Sequence, residues 1–267
     1  MIGAIIGDIV GSRFERHNCK SKDFELFSYG CRFTDDSVMS LAVCDALMKC
    51  GEDFADLREC AVSSMQSAGR SFPHRGYGGM FRKWLRVENP QPYNSFGNGA
   101  AMRVSGCGHV GTSIEQVKLL SKSVTEVTHN HPEGLKGAEA TAIAVFFART
   151  GKSLSEIRDH IVKNYYPLDF TLDEIRESYR FDSTCQGSVP QALEAFFEST
   201  GFEDAIRNAI SIGGDSDTIA AIAGSVAEAY YGVPMDIRNS ARFFLDERLF
   251  EILRKFENLY PAKAEEG

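Results

Sequence analysis

The stretch Ile2-Gly3-Ala4-Ile5-Ile6-Gly7-Asp8-Ile9-Val10-Gly11-Ser12-Arg13 carries glycine at positions 3, 7 and 11, with Ile2, Ile5, Ile6 and Ile9 beside them. A four-residue spacing puts all three glycines on one helix face, where the missing Cβ lets a second backbone approach closely. A dinucleotide-binding βαβ unit would need G-x-G-x-x-G after a strand, and this stretch does not supply it. The pattern predicts a helix over residues 2–13 that packs tightly on another helix.

Working outward, helical periodicity continues at roughly 35–49, 53–69, 77–86, 113–127, 136–150, 153–163, 188–199, 202–211, 217–231 and 246–258. Several interiors are rich in alanine, as in AEATAIAVFFA and TIAAIAGSVAEAYYG, which suits closely packed helices of high intrinsic propensity. Alternating strand-like runs are nearly absent. Glycine and proline gather instead in the loops FPHRGYGG, NPQPYNSFGNG, THNHPEG and CQGSVP. With no long linker and no repeat of fixed period, the expectation is one all-α domain over residues 1–260, followed by a frayed tail, PAKAEEG, at 261–267.

Composition narrows the function. The 267 residues suffice for one large buried core, and 43% hydrophobic with 25% charged residues describes an ordinary globular chain. Lys and Arg number 29 against 37 Asp and Glu, a net charge of -8, which argues against a general nucleic-acid binder. No apolar run approaches the roughly 20 residues of a membrane span. The apolar start is broken by Asp8 and Arg13 and lacks a basic leader, so secretion is not expected. Seven dispersed cysteines without a C-x-x-C pair read as free thiols in a reducing cytoplasm.

Two acidic clusters carry the chemistry. Thr34-Asp35-Asp36-Ser37 opens an apolar helix, and on its own it is explained by capping, with Thr34 as N-cap and carboxylates complementing the helix dipole. Gly213-Gly214-Asp215-Ser216-Asp217-Thr218 opens the most alanine-rich helix in the same manner. Four aspartates converging in an interior would be strongly unfavourable without cations. Two divalent metals would balance them, and a set of oxygen ligands selects Mg²⁺, with Mn²⁺ as a substitute. The candidates are the two carboxylate-plus-threonine sets at these helix starts.

Between the clusters lie two glycine-rich turns, His74 to Gly79 and Phe96 to Arg103, each leading into helical structure. Either is an ordinary turn or a backbone cradle that presents N–H groups to phosphate. Tyr93 or Phe96 offers a ring for stacking on a base, or simply packs. The histidines of Thr128-His129-Asn130-His131 do not match the spacing of a zinc helix, so His129 reads as a ligand contact or as a hydrogen-bonding group of its own turn. Glu15, in a polar stretch before Thr34, reads by default as a solvated side chain.

In order along the chain, GAIIGDIVGSRFE, FTDDSVMSLAV, GYGG, FGNGAAMRV, THNHPEG, CQGSVPQAL and GGDSDTIAAIAG resemble the ADP-ribosylglycohydrolase family, whose members include dinitrogenase reductase-activating glycohydrolases and ADP-ribosyl-acceptor hydrolases. The pairing of TDD with a distal GGDSDT is the specific element. The resemblance implies a compact orthogonal helical bundle around a binuclear Mg²⁺ cleft, and by motif Thr34, Asp35, Asp36, Asp215, Asp217 and Thr218 would be the metal ligands. It implies a hydrolase that releases ADP-ribose from a protein side chain or related conjugate. By motif, Glu15 matches a loop glutamate near the scissile bond, and Asp35 or Asp36 would accept a proton from water. Gly76, Tyr77, Gly78 and Gly79 match one diphosphate loop and Gly97, Asn98 and Gly99 the other, with Phe96 beside adenine and His129 near a ribose. A non-catalytic ADP-ribose reader and a Mg²⁺-dependent phosphohydrolase acting on a nucleotide diphosphate are the alternatives on the same residues.

Overall fold

The computed structural model describes residues 1–51 and 53–261; most of the expected tail therefore lies outside the described residues. Its elements are α1 (Ile2–Gly11), α2 (Asp35–Lys49), α3 (Leu57–Ser71), α4 (Gly79–Trp84), α5 (Ser105–Val110), α6 (Ile114–Thr125) and α7 (Pro132–Arg149). These are followed by α8 (Leu154–Asn164), α9 (Leu172–Arg176), α10 (Cys185–Phe197), α11 (Phe202–Ser211), α12 (Ser216–Tyr231), α13 (Met235–Arg242) and α14 (Glu247–Leu259). A single 3-10 turn spans Asn98–Ala100, and the only β-type pairing among the described residues is an isolated bridge between Gly97 and Thr184. The all-α expectation holds.

The centre of the core is the pair α1 and α12. Every residue of α1 is buried, as is nearly all of α12. Gly3 faces Gly224, Gly7 faces Ala220 and Gly11 faces Asp217, so the two helices run antiparallel with backbone against backbone. The glycine face predicted from spacing is therefore the contact surface, and it brings the C-terminal end of α1 to the first turn of α12. α2, α7, α10 and α11 pack around this pair.

Helix boundaries differ from the periodicity where a cap or a packing demand intervenes. α7 starts four residues earlier than read, because His131 caps it by accepting the Glu133 N–H and Pro132 fits its first turn. α10 begins at Cys185, since Thr184 caps it and Pro190 falls in its second turn. α5, α9 and α13 were not predicted. α5 has two glycines in six residues, which lowers its propensity, yet all six residues are buried. A Cβ on its Gly108 would lie 2.6 Å from the Ala142 carbonyl of α7, so packing has selected glycine against propensity. All seven cysteines are free thiols, and no described helix is long and apolar enough to cross a membrane.

A Cβ on Gly7 would overlap the Ala220 carbonyl, which belongs to backbone that cannot step aside. Gly7→Ala is expected to lower stability by about 3 kcal/mol, the upper end for overpacking a core. Gly201→Ala, where a Cβ meets nothing within 4 Å, serves as control and should change stability by under about 0.5 kcal/mol. Urea denaturation of both variants measures the contrast; equal stabilities would contradict the backbone-contact reading of α1.

Candidate metal centre and ligand cleft

The two acidic clusters meet. Thr34 caps α2, accepting the Asp36 N–H, while the Asp35 N–H donates to the Arg75 carbonyl at 2.7 Å. Across the cleft, Gly213 and Gly214 have φ of 68° and 77°, a left-handed pair of residues that favours glycine and turns the chain into α12. Asn18 pins that turn by accepting the Gly214 N–H at 3.0 Å and donating to its carbonyl at 3.0 Å. Lys20 reaches the neighbouring carbonyls of Ile212, Arg176 and Tyr179 at 2.5–3.0 Å. Thr218 Oγ1 then donates to Asp36 Oδ2 at 3.3 Å, joining residues 182 positions apart. Asn98 links the second loop to the same place, donating to Asp215 Oδ2 at 2.7 Å and to Ser188 Oγ at 3.1 Å.

Asp8 is the residue that sequence reasoning missed. It is wholly buried on α1 and accepts from the Thr34 N–H at 2.9 Å, the Thr34 hydroxyl at 2.6 Å, the Ser37 N–H at 3.0 Å and the Ser37 hydroxyl. It thereby ties the start of α2 to α1. Asp8, Asp36 and Asp217 each place a carboxylate oxygen within 4.8 Å of the others. The available signal was a single carboxylate within an otherwise apolar helix, since a buried Asp needs a partner.

Among the described residues no Lys or Arg forms an ion pair with Asp8, Asp35, Asp36, Asp215 or Asp217. Burial, reinforced by Asp8 and then by Asp215 and Glu15, pushes the Asp35 carboxyl up to about 8. Burial raises Asp36 and Asp217 well above the usual carboxylate range, with mutual repulsion adding to it. It raises Asp215 to about 6 despite the Asn98 hydrogen bond. Asp36 Oδ1 is buried with no hydrogen-bond partner. Such a set of hard oxygen donors, repelling one another around an unsatisfied carboxylate oxygen, fits a metal cation.

Both clusters open onto a cleft of about 780 Å³. Glu15 is half-buried in its wall, and its charge adds to the upward shifts of Asp35, Asp215 and Asp217. Gly76, Gly78 and Gly79 form one side, Gly97, Asn98, Gly99 and His129 another. A Cβ on Gly78 or Gly79 would meet nothing within 4 Å, and one on Gly97 or Gly99 only ordinary contacts. Protein packing does not require glycine at these four positions. Gly76 differs, with a φ of 106° and an added Cβ that would lie 2.6 Å from Asp35 Oδ1. Two expected side chains fall elsewhere. Tyr77 turns into the core beside Phe81, and Phe96 projects outward against His131. Tyr93 and Phe181 line the cleft, together with the largely buried Phe81.

Residues 1–265 match the ADP-ribosylglycohydrolase family. The chain is 27% identical to ADP-ribosylhydrolase ARH3 of Homo sapiens, over 87% of this chain and 84% of that protein. It is 26% identical to ADP-ribosylarginine hydrolase Tri1 of Pseudomonas putida, over 87% of this chain and 70% of that protein. Among solved structures, an ADP-ribosylglycohydrolase-related protein complex superposes with a TM-score of 0.68 at 20% identity, covering 98% of this chain and 96% of that one, a likeness of fold.

The carboxyl shifts have a consequence for stability. Asp35 rises from an ordinary 3.8 to about 8, so between those pH values the folded state binds its proton more tightly than the unfolded chain does. Stability therefore falls as pH rises through this window, the reverse of the usual salt-bridged carboxylate. Urea midpoints of EDTA-treated protein should decrease from pH 4 to pH 8, and added Mg²⁺ should flatten the decrease. Midpoints that rise with pH in EDTA would contradict the unpaired-carboxylate reading.

Proposed function

The chain belongs to the ADP-ribosylglycohydrolase family, and we propose that it hydrolyses the glycosidic bond between C1″ of ADP-ribose and an acceptor, releasing free ADP-ribose. The carrying observation is the meeting of two helix-opening Thr/Asp sets, through Thr218 and Asp36, in a cleft lined by glycine loops that packing alone does not require. A reader domain would need the loops but no converging carboxylates.

Thr34, Asp35, Asp36, Asp215, Asp217 and Thr218 would hold two Mg²⁺ ions, or Mn²⁺ in their place. When bound, the ions supply Lewis acidity toward ribose hydroxyls and a positive field that lowers the pKa of water. The glycine loops bind diphosphate oxygens through backbone N–H groups, with Asn98 tying the second loop to Asp215. This grip holds the anomeric carbon near the carboxylates, converting an encounter into a positioned reaction. Asp35, facing the cleft, takes the proton from the attacking water. Glu15 orients the distal ribose or protonates the leaving group as the oxocarbenium character develops. Tyr93 and Phe181 offer ring faces to the adenine.

Incubation with a panel of ADP-ribosylated substrates should release free ADP-ribose, identified by mass spectrometry. Activity should vanish in EDTA and return with Mg²⁺. Asp217→Asn should lose metal and turnover together, and Glu15→Gln should lose ~10²-fold or more in turnover. Release of AMP and ribose phosphate would identify a phosphohydrolase instead, and full activity after verified metal removal would overturn the metal-centre reading.

A further inference from the structure

Among the described residues Arg103 is the largest fully buried side chain, and it has no carboxylate partner there. Its guanidinium lies 5.8 Å from the centroid of the Phe81 ring, the residue is part of the cleft lining, its Nε lacks a partner, and burial lowers it to about 10. One terminal nitrogen donates to Thr128 Oγ1 at 2.7 Å, and that oxygen lies 2.7 Å from His129 Nδ1. His129 in turn is buried, sits 5.9 Å from the Tyr93 ring centroid, and presents Nε2 beside Gly97 and Gly99.

The directions of these bonds follow from donor chemistry. A guanidinium only donates, so Thr128 Oγ1 accepts from Arg103 and keeps its single proton for another partner. The Thr125 carbonyl is 3.5 Å away and already accepts the Thr128 and His129 N–H groups at 3.2 and 2.9 Å. His129 Nδ1 is much the closer acceptor. A proton given to Nδ1 requires that nitrogen to be bare, which leaves the proton of the neutral ring on Nε2. Burial and the Arg103 charge both hold the ring below its usual protonation range, so it does not become a cation. Nε2 makes no hydrogen bond to the described residues and lines the cleft.

We propose that Arg103 and Thr128 are positioning residues that lock His129 as the neutral Nε2–H tautomer, a fixed hydrogen-bond donor to an acceptor oxygen, phosphate or ribose, of the ligand lying over Gly97–Gly99. The proposal rests on the ADP-ribose reading above for the identity of that ligand, though not for the lock itself. The relay also sets selectivity: a ligand presenting an N–H donor at this point would face another donor, whereas an oxygen lone pair completes the chain. Arg103, with an unneutralised charge in the same wall, favours an anionic ligand on the same side.

The test separates lock from ligand. In ligand-free protein labelled with ¹⁵N-histidine, long-range ¹H–¹⁵N correlation should show the His129 ring, assigned by its absence in His129→Gln, as neutral Nε2–H and unchanged in tautomer from pH 6 to 8. Thr128→Ser keeps the hydroxyl and should preserve that signature, while Thr128→Val should lose it. Calorimetric affinity for ADP-ribose should fall by about tenfold in Thr128→Val, the scale of one hydrogen bond, and recover in Thr128→Ser. Unchanged circular dichroism verifies that the valine variant is folded; if it is not, the wild-type tautomer together with the His129→Gln and Thr128→Ser affinities decides the matter. An Nδ1–H ring in the wild type, or equal affinities for the serine and valine variants, would overturn the proposal. Failure of ADP-ribose to bind wild type would overturn the function proposed above and leave the tautomer result standing on its own.

Discussion

Backbone contact between α1 and α12 is the constraint on which the rest depends. Gly3, Gly7 and Gly11 remove every side chain from one face of α1, and Gly224, Ala220 and Asp217 fill the space with main chain. Packing this close fixes both axial position and rotation, because sliding either helix would set a carbonyl against a methyl group. Two site features inherit that register. Asp8 projects from α1 at the height where Thr34 and Ser37 begin α2, and Asp217 begins its own helix beside Gly11. The chain leaving α1 then passes Glu15 and is fastened to the far turn by Asn18 and Lys20.

The site trades stability for charge. Burial raises the Asp8, Asp35, Asp36, Asp215 and Asp217 carboxyls, and among the described residues no basic side chain pairs with any of them. Asp8 differs from the others because four donors from Thr34 and Ser37 satisfy it, two of them backbone N–H groups at a helix start. It acts as the anchor, while Asp36, with one bare oxygen, faces what remains to be compensated. The same local economy governs the opposite wall, where a buried arginine finds hydroxyl and carbonyl partners but no anion.

Much of this was legible in the sequence, for reasons that also explain the gaps. The glycine spacing gave away the α1 face because helical geometry maps directly onto residue number. Thr34-Asp35-Asp36 and Asp215-Ser216-Asp217-Thr218 were readable because a helix start confines their side chains to one end of one element. Asp8 was not, since its partners are 26 and 29 positions away and a lone carboxylate carries no spacing. Tyr77 and Phe96 were assigned to the cleft from adjacency to glycine loops; adjacency does not say which way a side chain turns, and the core claims Tyr77 while the surface takes Phe96. α5 escaped because its glycines serve contacts with α7 rather than helix propensity.

The bond between Thr218 and Asp36 spans 182 positions, and that between Asn98 and Asp215 spans 117. Contacts of this separation form late, since loop-closure entropy must be overcome before they give any return. No short contiguous piece of the chain holds both carboxylate sets. Catalytic competence in such a topology is a property of the finished chain. A nascent polypeptide still missing α12 displays Thr34 and its neighbours without their counterparts, so the two sets cannot meet before α12 has been made.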